Sequence, residues 1–257
     1  CLERSLEDKY LLGELLPVPS NILERQYYDV MRTISCSAIS LAETSMRDKE
    51  EYCQYIENWI HELKTPLTAC SLILANDASV SKLRRELKRA DNLTENILYY
   101  ARLRTVEKDT QIKQTQAAAI MEDAVKSQME LLIAAGISVE TKGDMNVYTD
   151  GKQLCFILKQ FLINCAKYCP NCHVVLTAGN GKITVEDNGV GIPSHEISRV
   201  TQRGFTGENG RRIGNCTGMG LFIADQLCKN LGISLSINSV QGKFTKITLI
   251  FDNLTKT

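Results

Sequence analysis

Ile183-Thr184-Val185-Glu186-Asp187-Asn188-Gly189-Val190-Gly191-Ile192-Pro193 decides the fold: an alternating strand runs into an aspartate, two glycines and a proline. Alternation of apolar and polar residues argues a half-buried strand. Glycines directly after it let the backbone approach a flat ligand closely, and a carboxylate there can accept from an exocyclic amine such as that of adenine. Alone, Asp-x-Gly-x-Gly is often no more than a turn, so its meaning rests on its surroundings.

Towards the C-terminus, Thr217-Gly218-Met219-Gly220-Leu221 opens a helix running to Leu231, where free amides face an anion. No Gly-Lys-Thr or Gly-Lys-Ser follows and no repeated parallel βαβ unit surrounds it, so it is neither a Walker loop nor a dinucleotide fingerprint. Towards the N-terminus, the helix from Phe156 to Tyr168 places Gln160, Asn164 and Lys167 on one polar side of an apolar segment. Those three suit a hydrated magnesium ion and a phosphate, because magnesium needs few protein oxygens and the amide oxygen of Asn164 is enough. Without the glycine motifs they would be a solvated helix face.

Around these motifs, Val174–Thr177, Ile183–Glu186, Ile233–Ile237 and Phe244–Phe251 read as strands, and stretches near 117–135, 151–168 and 219–231 as helices. This part is expected to be an α/β sandwich over residues 117–257. Upstream the grammar differs. From about Ser20 to Leu74 a helical period runs with few breakers, and Ile56, Ile60, Leu63, Leu67, Cys70 and Leu74 line one face. After Asn76-Asp77-Ala78-Ser79 the period resumes with Leu83, Leu87, Ala90, Leu93, Ile97 and Ala101, with Ser79 or Ser81 as cap. The two helices form an antiparallel hairpin over 20–107. One hairpin leaves apolar surface bare, so a homodimer closing a four-helix bundle is expected. Residues 1–19 and 108–116 read as linkers.

Within the first helix lies His61-Glu62-Leu63-Lys64-Thr65-Pro66. His61 sits one step around from the apolar stripe, and an exposed imidazole keeps a nucleophilic nitrogen available near neutral pH. Glu62 can take the departing proton or orient the ring, and Thr65 shares the face of His61 one turn later. Pro66 lacks an amide hydrogen, so a kink just beyond the histidine is expected. A lone His-Glu pair is usually a surface accident, but the six-residue context together with the glycine motifs points to a phosphate acceptor and a nucleotide pocket in one chain.

The chain has 257 residues, 44% hydrophobic and 23% charged, with a formal net charge of zero. No basic field is present to hold nucleic acid. No apolar run reaches the roughly 18 residues of a membrane span and no signal-peptide pattern opens the chain, but Cys1 in place of Met suggests a piece of a longer protein. The ten cysteines are scattered and read as reduced thiols. A metal alternative is kept for Cys165, Cys169, Cys172 and His173, since Cys169-Pro170-Asn171-Cys172 has zinc-knuckle spacing without a second pair.

In the order and identity of these motifs the chain resembles the cytoplasmic kinase core of a two-component sensor histidine kinase. The resemblance covers most of the chain. It implies an H box at His61, an N box at Asn164 with Lys167 and Tyr168 beside it, and glycine boxes at Asp187, Gly189 and Gly191 and at Thr217, Gly218, Met219, Gly220 and Leu221. Phe205 in Arg203-Gly204-Phe205-Thr206-Gly207 fits the F box, and an ATP lid would span Gly207 to Cys216. Gln160 departs from the pattern, as many members have a second asparagine there. Implied are ATP and Mg²⁺ as cofactors, with Asn164 as the metal residue, autophosphorylation of His61, transfer to an aspartate of a response regulator receiver domain, and phosphatase activity. The cytoplasmic part of a bacterial membrane protein is implied as the setting. Trp59 and the run from Arg203 to Gly210 resemble the subgroup with short membrane sensors that work beside peptide-antibiotic transporters. Two rivals are a gyrase- or Hsp90-like ATPase clamp, which has no use for the H box, and an inactive dimeric scaffold.

Overall fold

The computed structural model describes residues 19, 21–76, 79–104, 110–213 and 217–251. Helix α1 spans Ile22–Asn76 and α2 spans Val80–Arg104. The Asn21 side chain accepts from the Glu24 amide at 2.8 Å, which caps α1 and explains its start. Packing divides the chain into two compact units, Cys1–Asn58 and Trp59–Thr257. In the first, the helix keeps Ile22, Leu23, Tyr27, Val30, Ile34, Leu41 and Met46 exposed, and Thr33, Ser37 and Thr44 return their hydroxyls to the carbonyls four residues back.

In the second unit, α1 continues through Pro66 without interruption. The inward face of this part is Trp59, Pro66 and Cys70, of which only Cys70 belongs to the stripe expected from the sequence. Ile60, Leu67 and Leu74, seven residues apart, stand exposed. On α2, Ala90 is buried as expected, but Leu87 is exposed, and the polar Asn92 and Asn96 are buried together with Tyr100. Asp77 and Ala78, in the expected connection between the helices, lie outside the described residues.

The remaining elements are β1 (Lys113–Gln116), α3 (Ala117–Ala134), β2 (Ser138–Lys142), β3 (Asn146–Thr149), α4 (Gly151–Tyr168), β4 (His173–Gly179), β5 (Lys182–Asp187), α5 (Ser194–Ile197), α6 (Gly207–Ile213), α7 (Gly220–Asn230), β6 (Ile233–Val240) and β7 (Phe244–Phe251). A five-stranded sheet runs β2-β4-β5-β7-β6, with β2 parallel to β4 and every other pair antiparallel; β1 and β3 form a separate antiparallel pair. On β7, Thr245, Ile247, Leu249 and Phe251 alternate inwards. The core joins Leu176, Ile183 and Leu249 of the sheet to Met121, Leu154, Ile157, Phe161, Met219 and Ile223. The result is an α/β sandwich behind a helical hairpin.

The metal alternative for the cysteine cluster is not supported. His173 Nδ1 pairs with Ser138 Oγ at 2.8 Å. Among the described residues, the only group whose ligand atoms converge closely enough for an ion is His195, Glu196 and Glu208. Cys165, Cys169 and Cys172 are free, buried thiols. Among the described residues no helix is long and apolar enough to cross a membrane.

Candidate nucleotide site and phosphate acceptor

A cleft opens where α4, the end of β5, α5, α6 and the first turn of α7 meet over β7. Its wall on α4 is Phe161, Asn164, Cys165, Tyr168 and Cys169, and its floor is Asp187, Thr245 and Ile247. The α4 wall is fixed from its start. Asp150 caps the helix by accepting from the amides of Lys152 at 2.9 Å and Gln153 at 3.1 Å, and its other oxygen takes the amide of Gln111 at 3.0 Å.

Asp187 is buried at the strand end. Its Oδ1 accepts from the Gly189 amide at 2.9 Å and from the Cys169 thiol at 3.2 Å, while Oδ2 lies 3.9 Å from the Cys165 sulfur. Burial first, and then the neighbouring carboxylate, pushes the Cys169 thiol up to about 12 and Cys165 well above the usual thiol range. Both thiols are therefore neutral donors that orient the carboxylate. Gly189 is obligatory here, because a Cβ would fall on the Cys169 side chain. Gly218 is another such position, with φ +64° and the backbone of Phe205 where a side chain would go.

The sandwich is matched over residues 149–255 by the family model described as "Histidine kinase-, DNA gyrase B-, and HSP90-like ATPase". The chain is 30% identical over 207 residues to the sensor histidine kinase YxdK of Bacillus subtilis, covering 77% of this chain and 64% of its relative. It is 32% identical over 201 residues to the sensor protein BceS of Halalkalibacterium halodurans, covering 75% and 60%. Sensor protein kinase GraS of Staphylococcus aureus is 30% identical over 207 residues, covering 77% and 60%. This chain belongs to the sensor histidine kinases. It spans about three-fifths of the length of these relatives. Its fold is that of the Acinetobacter baumannii histidine kinase AdeS, with a TM-score of 0.53 at 16% identity over 75% of this chain and 98% of that one.

Of the residues expected at the kinase's nucleotide site, the cleft brings together Asn164, Tyr168, Asp187, Gly191, Phe205 and Leu221. Gly189, Thr217, Gly218, Met219, Gly220 and Lys167 do not line it. Met219 is a wholly buried core side chain, so only its backbone is available to a ligand. Lys167 stands 5.9 Å from the centre of the Tyr168 ring. Of the lid, Gly207, Asn209 and Gly210 line the cleft, and Gly214, Asn215 and Cys216 lie outside the described residues.

Gln160 requires a correction. It is not on a wet face with Asn164 but 3% exposed, its Nε2 donating to Asn96 Oδ1 at 2.8 Å and its Oε1 lying against Gly220. Buried against α2, the amide does not share a wet face with Asn164.

In the H box, His61 and Thr65 are exposed and Glu62 is half-buried. Burial raises the Glu62 carboxyl to about 7, with the Lys167 ammonium opposing part of that rise. Trp59, three residues before Glu62 and so on its side of the helix, is fully buried edge-on to Tyr100, ring centres 5.0 Å apart.

Among the cleft residues that sequence reading missed, Thr245 and Glu196 are the polar ones that face it from a strand and a short helix. Thr245, opposite Asp187 in the β5–β7 register, is signalled only by a polar residue at an inward position of a strand. Glu196, buried and accepting from the Glu208 amide at 2.8 Å, sits in a four-residue helix too short to announce itself.

Proposed function

We propose that this chain binds ATP in the Asp187 cleft, phosphorylates its own His61, and passes the phosphoryl group to an aspartate of a response regulator receiver domain. The observation that carries the proposal is the exposed His61, with the half-buried Glu62 beside it, on a helix held in the same compact unit as a cleft whose family is an ATPase family. Asp187 Oδ2 and Thr245 receive the purine amine, and Tyr168, Ile192 and Leu221 supply apolar walls. The phosphates would extend past Leu221, beyond the cleft lining, to the amides of Gly218–Gly220 at the start of α7, where a helix N-terminus favours an anion.

Magnesium fits the donor set, since Asn164 offers a neutral oxygen at the cleft wall and this ion is content with one protein ligand; bound there, it would neutralise phosphate charge. An imidazole nitrogen of His61 attacks the γ-phosphorus, the bond to the β-bridging oxygen breaks, and ADP leaves. Glu62 takes the imidazole proton. In the next step the N–P bond breaks and an acyl phosphate forms on the regulator. Thr65 orients water in the reverse, phosphatase direction.

Exposed Ile60, Leu67 and Leu74 on α1, with Leu87 and Leu98 on α2, suit a homodimer closed as a four-helix bundle. Likeness to BceS and GraS supports the subgroup with short membrane sensors, hence a location on the cytoplasmic side of a bacterial membrane and a transporter as partner. Residues 20–107 then act as the dimerisation and phosphotransfer domain, 117–257 as the ATP-binding domain, and 1–19 and 108–116 as linkers. The test is incubation with radiolabelled magnesium ATP beside His61→Ala and Asn164→Ala. Acid-labile, alkali-stable label lost in both variants supports the proposal; hydrolysis without label points to an ATPase clamp, and no binding to a scaffold.

A further inference from the structure

One stripe of α2 is polar and aromatic where a bundle helix would be apolar, and it faces the ATP-binding sandwich of its own chain. Asn92 and Gln128 exchange two hydrogen bonds, both 3.1 Å. Glu95 meets Lys159 at 3.1 Å. Asn96 accepts from Gln160 at 2.8 Å. Tyr99 lies on Phe156, ring centres 3.9 Å apart. Tyr100 approaches Phe222 at 6.4 Å, has the Arg203 guanidinium 5.4 Å over its ring, and meets Trp59 edge-on at 5.0 Å. Positions 92, 95, 96, 99 and 100 recur at three and four residues, so this is one continuous helix face.

Buried amide pairs add little net stability, but a wrong register strands them unpaired. Asn92, Asn96, Gln128 and Gln160 are all buried, so a slip along α2 would orphan four amides at once. Such a face fixes where the sandwich sits on the hairpin without welding it there. That seat has a consequence for the acceptor. The ring of Tyr100 meets both Trp59, two residues before His61, and Phe222, two residues after Gly220. Glu62, on the Trp59 side of α1, lies within the field of Lys167, which is one helical turn from Asn164. The exposed Ile60, Leu67 and Leu74 lie on another side of α1, so pairing with a second copy leaves this seat in place.

We propose that the autophosphorylation assigned above runs within one chain, the α2 face Asn92–Tyr100 holding each sandwich against its own His61, with Asn96 and Gln160 as positioning residues. The proposal rests on the histidine-kinase reading. The sandwich of a partner subunit would first have to displace these contacts.

The test is a mixed dimer, purified through two different tags, of one wild-type chain and one longer-tagged chain carrying Asn164→Ala and Asp187→Asn, a pair whose own homodimer takes no label. Label on the wild-type chain is expected. Label on the doubly substituted chain, which keeps His61 but lacks a nucleotide site, or equal label on both, would overturn the proposal. No label on either chain, with the wild-type homodimer also dark, would instead refute the kinase reading. In the wild-type background, Asn96→Ala and Gln160→Leu should each slow autophosphorylation about tenfold to a hundredfold with the affinity for a fluorescent ATP analogue unchanged. An unchanged rate would overturn the positioning role.

Discussion

Replacing Glu62 by Gln should change the shape of the pH profile as well as its height. Burial places the Glu62 half-titration near 7, so roughly a tenth of the molecules carry the carboxylate at pH 6 and roughly nine-tenths at pH 8. If the carboxylate accepts the His61 proton, the wild-type rate divided by the Glu62→Gln rate should rise about tenfold across that interval. Taking this ratio cancels the titration of the groups the two proteins share. Lys167 holds the value down, so Lys167→Met should move the rise to higher pH. Stability carries the same sign. A carboxyl raised from 4.5 to about 7 contributes stability that is fully present below 4.5 and lost as pH rises through 7. Glu62→Gln should therefore gain on the wild type in urea unfolding at pH 8 relative to pH 5. The assay is initial-rate labelling at saturating magnesium ATP. A ratio that stays flat between pH 6 and pH 8 would refute Glu62 as the base.

Other perturbations follow from the same geometry. Gly189→Ala would set a methyl 2.5 Å from Cys169 Cβ and 2.9 Å from Asp187 Oδ1, and should weaken nucleotide binding at least about tenfold by displacing the carboxylate. Gly179→Ala, with nothing within 4 Å, is the matched control and should bind normally. Asp150→Ala removes the α4 cap and the partner of Gln111, and should cost about 1–2 kcal/mol in urea unfolding. Thr245→Val keeps the shape of the cleft floor but removes a hydroxyl that pairs with Ser239 Oγ at 3.2 Å, and should cost about 1 kcal/mol both of affinity for an ATP analogue and of stability in urea unfolding.

The helices bounded by strong local signals are legible in the sequence. α4 begins where Asp150 caps it and stops just before Cys169-Pro170, and β7 covers the whole run Phe244–Phe251. The strands β1, β2 and β3 escape such a reading because Lys-Gln-Thr-Gln, Ser-Val-Glu-Thr-Lys and Asn-Val-Tyr-Thr are short and mostly polar, and only their partners make them strands. The apolar stripe that periodicity predicts on α1 is split in a single chain, with Cys70 buried and Ile60, Leu67 and Leu74 exposed. Periodicity alone does not distinguish the face that meets α2 from one that stays bare in a single chain, and Ile60, Leu67 and Leu74 stand on the bare one. Gln160 misleads for a related reason: its burial depends on Asn96, some sixty residues away, and no local pattern links them. The motifs themselves fare better. Asn164, Tyr168, Asp187, Gly191, Phe205 and Leu221 come from four separate segments and line one cleft.

The central claim is that phosphate from ATP comes to rest on one particular histidine. The chain has three, His61, His173 and His195, and His195 adjoins Glu196 on the cleft wall, which makes it a real competitor. Site mapping by tandem mass spectrometry, at alkaline pH after brief exposure to magnesium ATP, decides among them. Phosphate on His61 alone is the predicted result; phosphate on His195 or His173, or none on any histidine while ATP is consumed, would contradict the account.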